Sequence, residues 1–386
     1  MFIRPFILLI PVLPLALLSA CGGGNDTDAL SPLAALGEKI FFDQSLSASG
    51  QQSCATCHDP ANAHAGNDRR AVPLGGPDGN VPGLRNAPSL RYLSFNSAFF
   101  FDAEDTPTGG FNLDGRADSL SEQARRPLLA AHEMANGTPA AVVVKLRSAS
   151  YVSEFTAVFG SGVFDSGDGA FEAATVALQQ YQQESPEFHP FDSKFDYFLA
   201  GKVQLSTQEL HGMALFNDPT KGNCAACHTS AGLADGTPPL FTDFTYDNLG
   251  VPRNPDIPAN ADALHFDLGL CGPDRTDLSG RGELCGAFRV PGLRNVALTA
   301  PYFHNGRFTT LGEVVSFYVR RDTNPEEWYP NAGADKFDDL PEQFHANVNT
   351  SEPPYDRGLG DLPALTADEI DAVVAFLETL SDGFQP

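Results

Sequence analysis

Cys54-Ala55-Thr56-Cys57-His58 and Cys224-Ala225-Ala226-Cys227-His228 are two copies of one pattern, Cys-x-x-Cys-His. Two thiols three positions apart can form thioether bonds to the two vinyl groups of one porphyrin. The histidine that follows then lies beneath the iron as its proximal ligand. Zinc would want four ligands at each site, and a redox dithiol has no need of the histidine. The chain is therefore expected to carry two covalently bound haem c groups, with His58 and His228 on the irons.

Three of the seven cysteines remain. Cys271 and Cys285 lie 14 positions apart. In an oxidising compartment such a pair reads as a disulfide closing a loop, a structural link worth roughly 3 kcal/mol. Cys21 belongs to another signal. Arg4 precedes an apolar run from Phe6 to Leu18, followed by Ser19-Ala20-Cys21. The run is shorter than the about 20 residues that span a bilayer. It reads as a secretory signal, and the small residues before Cys21 resemble a bacterial lipoprotein cleavage site. On this reading residues 1–20 are a signal peptide and Cys21 is lipidated. Residues 21–30 form a tether, and the body is periplasmic, held to a membrane only by lipid. The other reading is cleavage elsewhere, with a free Cys21.

Working outward from the two motifs, the halves repeat one another. Leu36-Gly37-Glu38-Lys39-Ile40-Phe41-Phe42-Asp43 has its counterpart in Leu210-His211-Gly212-Met213-Ala214-Leu215-Phe216-Asn217-Asp218. Each is a short amphipathic stretch running toward its haem motif. Val81-Pro82-Gly83-Leu84-Arg85-Asn86 recurs as Val290-Pro291-Gly292-Leu293-Arg294-Asn295. Asp114-Gly115-Arg116 with Leu120-Ser121-Glu122 recurs as Asn305-Gly306-Arg307 with Leu311-Gly312-Glu313. A helical stretch closes each half, Phe171 to Gln183 and Thr366 to Leu380. Thr366 and Glu369 form a capping box at the start of the second. The expected fold is mainly α, with two cytochrome-c-like haem domains related by duplication and joined by long loops. The domains are 31–200 and 201–386. The 30 prolines and 36 glycines among 386 residues agree with short helices and long ordered connections, not a coiled coil. A net charge of −25 makes nucleic acid an unsuitable partner. It suits a basic electron carrier, or serves solubility alone.

The repeat also separates the two irons. Tyr318 lies 11 residues after Arg307, and the equivalent position after Arg116 is Pro127. Proline offers no ligand, so the second haem is expected to be closed by a phenol and the first left open. An open iron accepts peroxide, and Gln123 and Glu133 lie close to Pro127 in sequence. A carboxylate there can take a proton from peroxide and return it to the leaving hydroxide. Tyr318 can equally be a packed core aromatic, and Glu133 a solvated helix charge. Met213 reads as core and Met134 belongs to the first half, so the second haem has no evident methionine ligand. His64, His132, His211, His265, His304 and His345 are rival ligands, and His304 reads as a haem-pocket hydrogen-bonding residue.

At these residues the chain resembles the bacterial dihaem cytochrome c peroxidase family, from about Leu36 to the C-terminus. The likeness is carried by both haem motifs and by Arg85-Asn86-Ala87-Pro88. It is carried also by Asp114-Gly115-Arg116, Glu122-Gln123-Ala124, Glu133-Met134, Leu249-Gly250-Val251-Pro252 and Ala300-Pro301-Tyr302-Phe303-His304-Asn305-Gly306. The resemblance implies methionine on the second haem in peroxide-scavenging members and tyrosine in MauG-like ones. Tyr318 stands at that position. Scavenging members also have a displaceable histidine over the first haem. Here Gly75-Gly76-Pro77-Asp78-Gly79-Asn80 has none. Both departures point to the MauG-like or MbnH-like branch, which oxidises a partner protein.

The resemblance further implies a calcium ion between the haems, held by the Asn86 side chain and the carbonyls of Thr299 and Pro301. Two tryptophans usual in the family are absent, replaced by Leu113 and Gly222, and Trp328 is the only one in the chain. Tyrosine or direct haem-to-haem transfer must then carry oxidising equivalents. The expected activity is H2O2-dependent oxidation of an external donor, a periplasmic protein. The rivals are a cytochrome c peroxidase fed by a small cytochrome and a non-enzymatic dihaem electron carrier.

Overall fold

The computed structural model describes residues 29–330 and 336–386. The signal segment, Cys21 and most of the tether lie outside them. Ten α-helices are present among the described residues. In the first half they are α1 (Pro32–Phe42), α2 (Cys54–Cys57), α3 (Leu120–Leu129), α4 (Pro139–Leu146), α5 (Val152–Phe159) and α6 (Gly167–Glu184). They continue as α7 (Lys194–Leu199), α8 (Thr207–Asn217), α9 (Leu311–Arg320) and α10 (Ala367–Glu378). Among the described residues three antiparallel ribbons of two short strands each accompany the helices, together with short 3-10 turns. The ribbons pair β1 (Leu74–Gly75) with β2 (Val81–Pro82), β3 (Phe100–Phe101) with β4 (Pro107–Thr108), and β5 (Tyr246–Asp247) with β6 (Phe288–Arg289). The molecule is mostly helical, with long connections.

The helix that leads to each haem motif crosses the helix that closes its half. α1 lies on α6 and α8 lies on α10. Each crossing is made at a glycine. A β-carbon on Gly37 would fall 1.9 Å from the Ala177 carbonyl oxygen, and one on Gly212 would fall 1.8 Å from that of Ala372. No larger residue permits backbones this close. The helices start at side-chain caps. Ser31 accepts from the Ala34 amide, while Ser206 with Glu209 and Thr366 with Glu369 form reciprocal capping boxes. Each such cap is worth about 1 kcal/mol.

α3 and α9 hold equivalent places, packed against α6 and α10 respectively. Pro127 sits inside α3. It has no N–H to offer the Gln123 carbonyl, so the helix is weakened at a turn that lines the first motif's cavity.

Two large apolar cores follow the halves. The first runs from Leu36 to Phe188 and the second from Phe195 to Leu380. Phe195 on α7 already belongs to the second core, and Asp196 binds Arg294 at 2.8 Å. By packing, the divide falls between Phe188 and Phe195, earlier than the 200/201 boundary expected from sequence. A third cluster, including Val251, Phe308, Phe317 and Tyr329, fills the space beneath the second half's long loops. In that region Cys271 and Cys285 are bonded to each other.

The halves meet through buried polar contacts. Arg85 bonds Asp114 at 2.8 Å and reaches Asp267 of the other half at 2.6 Å. The Asn86 amide donates to the His304 carbonyl at 2.8 Å, and the Arg289 amide to that of Leu113 at 2.8 Å.

Candidate haem sites

Each Cys-x-x-Cys-His motif opens onto its own cavity. The first, of about 190 Å³, is lined by Cys54, Cys57 and His58. The second, of about 310 Å³, is lined by Cys224, Cys227 and His228. The first motif is wound into α2, where Ser53 and Thr56 cap one another. The second begins as a single tight turn, Cys224–Ala226.

The histidines are oriented alike. Nδ1 of His58 lies 3.0 Å from the Pro88 carbonyl and 3.2 Å from that of His64. Nδ1 of His228 lies 2.9 Å from the Phe241 carbonyl. Carbonyls only accept, so Nδ1 carries the proton and Nε2 keeps its lone pair free for a metal. Burial lowers both imidazole pKa values, which favours the neutral, ligating form. The four motif cysteines are unpaired. Burial pushes the thiols of Cys54, Cys224 and Cys227 up to about 12 and that of Cys57 to about 11. Such thiols are poor redox nucleophiles. Among the described residues no three His, Cys, Asp or Glu side chains gather as a metal-ion site.

Beyond the motifs themselves, the two cavities are lined differently. The first presents Gln123 and Pro127 from α3, with Glu133 from the turn that follows. Glu133 is not a solvated charge. Its Oε2 is buried without a hydrogen-bond partner. Burial raises its pKa above the ordinary carboxylate range, against the pull of His132, Arg126 and Arg116. The Gly75–Gly76 turn wraps this segment. A β-carbon on Gly75 would lie 2.2 Å from the His132 carbonyl oxygen, and the Gly76 amide donates to the Glu133 carbonyl at 2.7 Å. Asp274 enters from the disulfide loop of the other half. It bonds Arg126 at 2.5 Å and stands 3.5 Å from Arg116. Sequence reasoning passed over Arg126 and Asp274. No motif marks either, and only folding brings the loop to this rim.

The second cavity has Tyr318 on α9 among its walls. Its ring stacks beside Phe303 at 5.9 Å and lies 5.9 Å from Tyr355. The hydroxyl has no hydrogen-bond partner among the described residues, and burial pushes its pKa above the ordinary phenol value. Of the rival histidines only His304 lines this cavity, stacked on Phe288 at 3.8 Å. Met213 does not line it and packs against the second core; Met134 is buried in the first.

Between the cavities, Asn86, Leu113 and Arg289 line both. The Asn86 side-chain amide meets the Pro301 carbonyl at 2.5 Å, and Thr299 lines the second cavity with them. Gly222 is fixed by close packing. A β-carbon there would lie 2.8 Å from the Leu215 carbonyl oxygen. Trp328 lies edge-on between Phe308 and Phe317, at 5.7 and 5.6 Å.

Residues 31–204 match the family model described as di-haem cytochrome c peroxidase. The methylamine utilization protein MauG of Paracoccus denitrificans is 39% identical over 382 residues, covering 96% of this chain and 94% of its own. The chain belongs to the di-haem cytochrome c peroxidase family. It is an oxidoreductase, a dihaem peroxidase acting on hydrogen peroxide. Cytochrome c551 peroxidase of Nitrosomonas europaea is a more distant member, 31% identical over 76% of this chain and 75% of its own. Among solved structures, the diheme peroxidase BthA from Burkholderia thailandensis superposes with a TM-score of 0.85. It is 40% identical, over 92% of this chain and 87% of that one.

Family membership implies two haem groups, and the two cavities fit them. Each is predominantly apolar, and each has two free thiols and one histidine with an unengaged Nε2 on its wall.

Proposed function

We propose that the protein is a periplasmic, MauG-like enzyme that uses H2O2 to oxidise an external donor, most simply a partner protein. The observation that carries this reading is the unlikeness of the two cavities. Among the described residues one is lined by a proline and an unpartnered carboxylate, the other by an unpartnered phenol. The 39% identity to a MauG along nearly the whole chain favours the same branch.

In this reading Cys54 and Cys57 would hold the first haem covalently and Cys224 and Cys227 the second, with His58 and His228 as the histidines that would ligate the irons. The bound haem iron supplies the redox centre on which peroxide is reduced. Pro127, which offers no ligand, would leave room in the first cavity for peroxide. Gln123 orients it. Glu133 takes the proton from the inner peroxide oxygen and delivers it to the departing hydroxide. The raised pKa of Glu133 suits a group that must both accept and return a proton. Tyr318 closes the second site. Burial keeps its phenol protonated unless a strong cation compensates, which a bound ferric haem iron would do. An anionic oxygen ligand stabilises the oxidised state relative to methionine.

Asn86, Thr299 and Pro301 would be the residues to hold a calcium ion. The assignment of O and N in an asparagine amide is interchangeable, and turning Asn86 over sets two oxygens facing one another, as a cation requires. The matched helix crossings at Gly37 and Gly212 support an origin by duplication. A signal ending at Cys21 would deliver the chain to the periplasm on a lipid anchor.

One equivalent of H2O2 added to the fully oxidised, haem-loaded protein tests the reading. A Soret shift within seconds, without reductant, is expected. A shift only after pre-reduction would instead indicate a peroxidase fed by a small cytochrome, with Tyr318 misassigned. No shift in either state would leave a dihaem electron carrier.

A further inference from the structure

Four arginines are buried among the described residues: Arg275, Arg289, Arg294 and Arg321. Three are compensated by a carboxylate. Arg275 pairs with Asp277 at 3.0 Å, Arg294 with Asp196 at 2.8 Å and Arg321 with Asp322 at 2.5 Å. Arg289 has no acidic partner among the described residues. Its Nε donates to the Asn112 carbonyl at 3.3 Å, and neither terminal nitrogen has a protein acceptor there. A guanidinium in this position is uncompensated, and leaving a buried charge so is strongly unfavourable. Burial alone already lowers its pKa from the ordinary arginine value.

The position of Arg289 says what would compensate it. It stands on β6 opposite Tyr246, and its backbone amide is tied to the Leu113 carbonyl across the junction of the halves. Its side chain lines both cavities. The neighbouring Arg85 is already engaged by Asp114 and Asp267, and Arg116 by Asp114. Arg289 is therefore the cation at this junction whose donors are still free. A guanidinium is a planar fork matched to carboxylates. A haem carries two carboxylates, its propionates, and both cavities are shaped to receive a haem.

We infer that Arg289 is a carboxylate clamp at the junction of the two sites, binding haem propionate and setting the charge that both irons experience. The inference rests on the two-haem reading above. A fixed cation beside a propionate keeps it ionised and favours the reduced iron. Removing the cation therefore lowers a haem potential and raises the propionate pKa.

The test uses full-length, haem-loaded Arg289→Gln and Arg289→Lys. Haem content is measured by pyridine haemochrome, and reduction potentials by spectroelectrochemistry across the acid pH range. Expected are two haems per chain in each variant. In Arg289→Gln at least one potential falls and acquires a pH dependence in the acid range that the wild type lacks. Arg289→Lys lies between. Two haems with unchanged potentials and unchanged pH dependence would overturn the clamp. Fewer than two haems in the wild type would instead overturn the reading on which it rests. Should Arg289→Gln fail to fold, a structure of the haem-loaded wild type decides. A propionate oxygen within hydrogen-bonding distance of an Arg289 terminal nitrogen supports the clamp, and none there rejects it.

Discussion

Glu133 is a carboxylate held out of water with one oxygen unmatched, a state that serves chemistry at the expense of stability. Two outcomes follow. Glu133→Gln should slow the reaction with peroxide by roughly 10²–10⁴-fold, the usual worth of general acid–base help, while leaving the resting spectrum unchanged. Its thermal midpoint should equal or exceed that of the wild type. The sign is fixed by linkage. A carboxyl whose folded pKa is raised favours the native state only below its unfolded pKa, and loses that contribution as pH rises through the folded value. Above the folded pKa the charged group is a burden that glutamine removes. The pH profile carries the same signature. The basic form must accept the first proton, so the rate should fall on acidification with a midpoint above the ordinary glutamate value of about 4.3. A midpoint at or below that value would assign the proton transfer to another group. At this scale the sequence was informative where chemistry has a spacing, as in the two Cys-x-x-Cys-His motifs, each of which lines its own cavity. It was silent on Asp274 and Arg289. What distinguishes them is a neighbour, or the want of one, supplied by residues remote in the chain.

At the scale of elements, the two crossings are the framework on which the sites are hung. α1 and α8 each deliver a chain to a haem motif, and their angles are fixed by contact with α6 and α10 at Gly37 and Gly212. Gly37→Ala and Gly212→Ala should each destabilise by about 2 kcal/mol or more, through overpacking against backbone that cannot move aside. Thermal melts read this directly, and an unchanged midpoint in either would mean that the crossing relaxes easily. The helices themselves were legible. The stretch expected over Phe171 to Gln183 is α6, Gly167–Glu184, and Thr366 caps α10 as its pattern indicates. Periodicity and caps are local properties. The role of the two glycines was not legible, because close approach depends on what lies across the crossing. The ribbons escaped notice for a similar reason, since two-residue strands carry no periodicity.

At the scale of the molecule, two halves are locked together by Arg85, which reaches carboxylates on both. Burial opposes the charge on Asp267, yet Arg85 holds its pKa at about 2. Arg85→Gln leaves that carboxylate buried and unpaired. It should cost about 3 kcal/mol or more, seen as a lower midpoint for unfolding. An unaltered midpoint would mean that the halves are held by apolar contact alone. The boundary between the halves was placed late from sequence because α7 lies before the second repeat unit yet packs within the second core. Repeats mark homology of segments, whereas packing marks which core a segment completes. Two unlike haem sites in one chain is the claim on which the rest depends. Electron paramagnetic resonance of the fully oxidised, haem-loaded protein reads it without turnover. One high-spin ferric signal from the Pro127 site and one low-spin signal from the Tyr318 site are predicted, the latter altered in Tyr318→Phe. Two low-spin signals, or a Tyr318→Phe spectrum identical to the wild type, would contradict it.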